Sequence, residues 1–197
     1  MTVGASDGTI DGTTDGSLAG KLLIAEPMMG DPNFERSVVF MIEHSAQGAV
    51  GVVLNHPTEL EVAAVLPDWA DFVTKPQVVY LGGPVQNDSV LALALPRGGA
   101  APAGWSEVAA GVGSVDLHGP AADVGPELAE IRLFAGYSGW GPGQLDSELR
   151  QHAWLVVEAL PADVFAPDSE TMWRSVLRRQ GGRLAMLADF PTHPSVN

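Results

Sequence analysis

The chain has 197 residues, 46% of them hydrophobic, with ten basic residues against twenty-four acidic ones for a net charge of -14, and no cysteine. That length and apolar content suit one substantial hydrophobic core and argue against disorder over most of the chain. The lack of cysteine excludes disulfides, thiolate nucleophiles and thiolate metal sites, and the acidic balance disfavours nonspecific binding to nucleic-acid phosphates.

Residues 1–17 are mostly Gly, Ser, Thr and Asp and read as a disordered tail ahead of a single domain over 18–197. No apolar run approaches a membrane span, and the start lacks a basic region followed by an apolar one. The expectation is a cytoplasmic protein without a membrane segment.

The domain opens with an apolar strand at 18–25, and the two prolines of 26–36 require a loop. Strands at 37–43 and 49–54, separated only by the polar stretch 44–48, form an antiparallel hairpin, because so short a connection cannot hold a crossover. Thr58 with Glu61 three residues later reads as the capping box of a helix that Pro67 ends. Strands follow at 78–81 and 90–95. Residues 98–111 are rich in Gly, Ala and Pro and read as a surface loop. A short strand at 112–117, a helical or turn-like stretch at 121–130 and a strand at 131–135 come next. A helix from Pro142 to about Gln151, a strand at 152–158, a helical turn at 161–165 and a helix capped by Asp168 and running to about Gln180 complete the order, with a last strand at 182–189 and an irregular tail from Phe190. Strands early, with short helices between and after, predict an α+β chain: a bulged, twisted mixed or antiparallel sheet flanked by short helices.

The sharpest motif is FAGYSGWGPGQLDSEL at 134–149. Four glycines allow positive φ or close backbone approach, and Pro142 suits the first turn of a helix. Two readings stand: the glycines fold Tyr137 and Trp140 back over the sheet, or their amides line a ligand cleft. In the 26–36 loop, Arg36 either pairs with Asp31 and pins the loop or offers its planar fork to an anion. Gln144 and Glu148, four residues apart, share a helix face, as do Asp146 and Arg150. The candidate ligand contacts are Arg36, Asn55, Tyr137, Trp140, Gln144 and Glu148. No catalytic residue is assigned.

The five histidines, His44, His56, His118, His152 and His193, lack a zinc-ligand frame. No serine has the nucleophile-elbow setting. Arg174, Arg178, Arg179 and Arg183 read as a solvated helix face or, alternatively, as a local basic strip for nucleic acid. No cofactor is implied. The partners left open are a small molecule, another protein, or a second copy joined at a sheet edge.

Five ordered segments carry a resemblance: GKLLIAEPMMGDPNFERSVVFMIEH at 20–44, GAVGVVLN at 48–55, YLGGPV at 80–85, GYSGWGPGQLDSEL at 136–149 and PTHPSVN at 191–197. Together the chain resembles the YqgE/AlgH family of bacterial proteins from about residue 20 to its end. The resemblance implies a compact α/β protein with a bulged, twisted mixed sheet and no established biochemical activity. It also brings the label of alginate-related transcriptional regulator, although no DNA-binding motif is visible. After the Gly-Gly-Pro loop many relatives carry Arg-Gly and a strand ending Leu-His, and residues 87–95, NDSVLALAL, have neither. The resulting expectation is a non-catalytic protein that binds a ligand or partner, with an unrecognised hydrolase or a regulator as alternatives.

Overall fold

Alternation along the apolar runs assigns successive side chains to opposite faces of one sheet, and each face has its own core. The structure, a computed structural model, describes residues 16–98 and 101–191. These residues form strands β1 Lys21–Ala25, β2 Val38–Ser45, β3 Gly48–Val53, β4 Pro57–Glu61, β5 Val78–Leu81, β6 Val85–Pro96, β7 Trp105–Ala109, β8 Val112–Val115, β9 Leu128–Trp140 and β10 Trp154–Glu158. Between and after them lie short helices α1 Val62–Val65, α2 Ala121–Val124, α3 Gln144–Arg150, α4 Pro161–Val164, α5 Met172–Gln180 and α6 Gly182–Leu187.

The strands order as β10-β1-β2-β3-β9-β6-β8-β7, with β5 bonded to β9 and β4 to β5. All these pairings are antiparallel except β5 with β9, where Tyr80 and Leu81 run parallel to Phe134 and Ala135. The architecture is therefore mostly sheet, broadly α+β, with short helices packed on it. Bulges interrupt the β2–β3, β6–β9 and β7–β8 ladders. The 44–48 hairpin forms in the antiparallel register that its length requires.

In β1, Leu22 and Ile24 join the central core while Leu23 and Ala25 face the opposite side. The central core takes Phe40, Val52, Tyr80, Leu93 and Phe134 from the sheet, and Trp173, Val176 and Leu177 of α5 fill it. A second core of Val79, Ala92, Ile131 and Leu133 lies beneath α1, α2 and Trp69. A third, of Leu23, Val39, Met41 and Val53, is closed by Leu145 of α3 and by Trp140 and Trp154.

Inside this apolar frame lies a fully buried cation. The Arg132 guanidinium donates to the carbonyls of Val164 (3.0 Å), Phe165 (3.1 Å) and Ala166 (2.9 Å), which are the unpaired acceptors at the end of α4. It also sits 4.4 Å over the Tyr80 ring. Desolvation pulls its pKa down. Three charge-assisted bonds and the ring hold the charge where no carboxylate bonds to it among the described residues. The contact ties β9 to the segment that leads into α5.

Several sequence expectations are corrected. The predicted strand at 182–189 is instead helix α6 over Gly182–Leu187: Leu184, Leu187 and Ala188 are spaced three and four apart and pack on the central core. Thr58 caps no helix. Its hydroxyl donates to the Val79 carbonyl at 2.6 Å within the β4–β5 pair, and helix begins only at Val62. The 98–111 stretch contains β7, which bonds to β8. Asp168 accepts from Thr171 in the turn before α5, and α5 itself begins at Met172. The strand expected at 131–135 runs on as β9 to Trp140 and takes in Gly136 and Gly139. The tail reading of residues 1–17 and the irregular end fall largely outside the described residues, although the Ser17 hydroxyl donates to the His44 carbonyl.

Replacing Arg132 by Ala removes three buried donors and opens a cavity. A loss of about 3–5 kcal/mol of unfolding free energy is expected in urea titration, with Arg132→Lys recovering only part, since an ammonium cannot fork across three carbonyls. Burial also depresses the His56 pKa. An imidazole kept neutral in the fold takes up a proton in the unfolded chain first, so stability falls as pH drops through the ordinary imidazole value of about 6.5 and levels off below the folded value. His56→Gln should flatten this part of the stability–pH curve.

Candidate functional site

The 26–36 loop and the middle of the 134–149 motif meet at Trp140, and aromatic packing joins them. Phe34 stacks on Trp140 with ring centroids 6.2 Å apart and meets Trp154 edge-on at 5.3 Å, while the two indoles lie 6.0 Å apart. Trp140 and Trp154 are only 6% and 4% exposed. An indole N–H taken out of water needs an acceptor, and one carboxylate serves both. Glu148 Oε2 accepts from Trp140 Nε1 at 2.9 Å and from Trp154 Nε1 at 2.8 Å. Its Oε1 accepts from Gln144 Nε2 at 3.0 Å, and Gln144 Oε1 in turn accepts from the Gly141 amide at 3.0 Å. The helical spacing of Gln144 and Glu148 thus builds a bonded chain from the end of β9 through α3 to β10.

Arg36 does not pair with Asp31. Its Nη2 donates to the Phe190 carbonyl at 2.7 Å, and its guanidinium lies 4.7 Å over the Trp173 ring. Asp31 instead accepts from Asn33. Asn55 bridges the loop to the sheet: its Oδ1 accepts from the Val38 amide and its Nδ2 donates to the Arg36 carbonyl, each at 2.9 Å. That bridge holds Arg36 at φ +52°, a left-handed conformation unusual for a side chain of its size. Trp140, Gln144 and Glu148 therefore form one cluster, Arg36 and Asn55 a second at the other end of the loop, and half-buried Tyr137 lies apart on β9 beside Val85. Asp146 and Arg150 form no ion pair with each other; Asp146 lies 3.7 Å from His44.

Three arginines of the α5–α6 cluster are committed to internal acceptors. Arg174 bonds the Ala188 carbonyl, Arg178 the Asp189 carboxylate, and Arg179 grips Asp163 with two bonds. Glu26 is pushed up by burial, opposed by the charges of His152 and Arg183, so the start of the 26–36 loop, the α3–β10 junction and α6 share one electrostatic neighbourhood. Among the described residues, no group of three or more His, Asp or Glu side chains is arranged to hold a metal ion.

Sequence reading missed Phe34 and Trp154. Each stands in the sequence as an isolated aromatic, and only the fold brings them against Trp140. A groove of about 310 Å³, lined by Leu66, Asp68, Trp69, Leu117 and His118 among others, also escaped it.

Glu148→Ala leaves two buried indole N–H groups without an acceptor, and a loss of about 2–4 kcal/mol is expected. Glu148→Gln keeps one acceptor oxygen and should lose roughly half as much. Urea unfolding followed by tryptophan fluorescence checks both.

A family described as AlgH-like matches residues 22–185 of the chain. A UPF0301 protein of Streptomyces coelicolor is 51% identical over 184 residues, covering 91% of this chain and 95% of the relative, and one of Thermobifida fusca is 47% identical over 189 residues, covering 91% and 96%. The crystal structure of a Corynebacterium diphtheriae protein superposes with a TM-score of 0.83 at 36% identity, covering 87% of this chain and 92% of that one. The solution structure of the AlgH protein from Pseudomonas aeruginosa gives 0.66 at 31% identity, covering 92% and 98%. The family match over residues 22–185, the sequence relatives and the two superposed folds agree: the chain belongs to the AlgH-like family.

Proposed function

We propose that the protein is a non-catalytic cytoplasmic protein that acts by binding a protein partner, through a surface formed by the 26–36 loop and α6. The observation that carries this is a pair of exposed methionines, Met28 at 73% and Met186 at 75% exposure. They flank the neighbourhood in which Glu26 senses Arg183 and His152, and Arg36 links the loop to the residues just after α6. Methionine is flexible and polarizable and adapts to irregular partner surfaces, and an apolar centre with charges at its rim is the usual anatomy of a protein interface. The polar atoms of Arg36, Asn55 and Glu148 are engaged within the fold, which favours partner docking over small-ligand chemistry at those residues.

A second reading, a small ligand, is favoured by the groove between the 3₁₀ turn at Pro67–Phe72 and residues 117–121. Its volume of about 310 Å³ is at the small end for ligand sites.

Photo-crosslinking residues placed at 28 and 186 in the full chain distinguish the readings. The same partner should be captured from cells at both positions and lost when the other position is changed to lysine. Capture at neither position, with chemical-shift changes around Trp69 and His118 on small-molecule screening, would replace the protein-partner reading with the ligand reading.

A further inference from the structure

We infer that β10 is a docking edge for a second copy of this chain, joining two sheets antiparallel about Val156. This does not depend on the methionine surface.

The edges available differ in how they are guarded. β4 carries Pro57, Glu59 and Glu61, the proline and charges that keep an edge from pairing. At the end of β7, Ala109 lies against Gly20, and Glu107 turns its carboxylate onto the Gly111 amide. β10 has the sequence WLVVE, with no proline and no charge before its last residue. Among the described residues it pairs only with β1.

The ladder fixes which backbone groups of β10 face outward. The Ala25 amide donates to the Ser37 carbonyl on the β2 side, and the Glu26 amide to the Ala153 carbonyl on the β10 side. By alternation along the register of β1 with β10, residues 153, 155 and 157 bond towards β1, and Trp154, Val156 and Glu158 point their N–H and C=O groups away. Among the described residues, the outward groups of Trp154 and Val156 have no partner. The Glu158 carbonyl accepts from Arg179 Nη2 at 3.1 Å and keeps a second lone pair.

This edge is complementary to itself. A two-fold axis at Val156 lets each Val156 exchange both bonds with its counterpart, while each Glu158 N–H meets the opposite Trp154 carbonyl. Side chains then pair Leu155 with Val157 and Val156 with Val156, so apolar residues meet apolar ones. Each Glu158 faces a tryptophan, the two carboxylates lie at opposite ends of the ladder, and Lys21 pairs with Glu158 in each copy. Leu160, 48% exposed just past the strand, extends the apolar contact. Opposing this is the net charge of -14 on each copy, whose repulsion salt screens. The dimer therefore strengthens with ionic strength, the reverse of an association held by ion pairs.

Sedimentation equilibrium of the full chain, from micromolar to millimolar concentration at low and high salt, tests this. A monomer–dimer equilibrium that tightens with salt is expected, and Val156→Lys, which sets two lysines face to face, should weaken it by at least about tenfold. Amide exchange on the unaltered chain gives a readout independent of any variant: Trp154 and Val156 should slow as the dimer forms. A monomer under all conditions overturns the inference. So does a dimer whose Trp154 and Val156 amides exchange as fast as in the monomer, or one that a folded Val156→Lys leaves intact.

Discussion

The fold depends on one strand bonding on both edges to partners that do not lie in register with each other. β9 is bonded along one side to β6 and on the other first to β5 and then to β3. To pass from one neighbour to the next it must bend, and Gly136 provides the bend at φ +66°. A methyl at that position would stand 2.7 Å from the Val85 carbonyl and 2.9 Å from that of Gly83, with Asn87 Oδ1 closer still. The Asn87 side chain could swing away, but the two carbonyls are backbone and cannot move aside in the same way. Gly82 and Gly83 make the reciprocal approach from the β5–β6 connection, and Ser138 fastens the crossing by donating to the Gly82 carbonyl at 3.1 Å. Gly82 and Gly83 on one side and Gly136 on the other are thus the two halves of one seam.

That seam governs what the nearby polar residues do. Once β9 is bent, Trp140 arrives beside Trp154 and Phe34, and Glu148 is needed to satisfy two indoles that the packing has removed from water. At the other end of the same strand Arg132 supplies the carbonyls that α4 leaves unpaired. The residue types that invite a functional reading, a lone carboxylate among tryptophans and an arginine on a strand, here answer the demands of burial. The proposed interactions therefore fall on the exposed methionines and on the strand edge.

Much of the sheet was legible because β1, β2, β3, β5 and the middle of β6 are runs of Val, Leu and Ile broken by turn residues. The helix of 172–180 was legible from Trp173, Val176 and Leu177. What failed has physical causes. In 182–189, arginine, leucine, alanine and methionine favour helix, but the segment is short enough that period two and period 3.6 fit equally well. β7 was hidden because its pairing with β8, and not its composition, makes it a strand. Thr58 has the local chemistry of a cap, and the neighbouring strand claimed its hydroxyl first. Arg36, Asn55, Trp140, Gln144 and Glu148 were read from the sequence as candidate ligand contacts. Only the folded chain reveals that their polar atoms are turned inward: Phe190 lies far from Arg36 in sequence, and Trp154, although six residues from Glu148, reaches it only once β10 has turned back beside α3.

The most direct test of the seam is the equilibrium stability of Gly136→Ala, a single methyl placed where β9 bends. Left-handed backbone and a contact with fixed carbonyls both oppose it, and a loss of about 2–4 kcal/mol is expected, with the tryptophan emission reporting a loosened Trp140–Trp154 pair. A variant as stable as the parent, with unchanged emission, would contradict the account and return the glycines to the role of a ligand cradle.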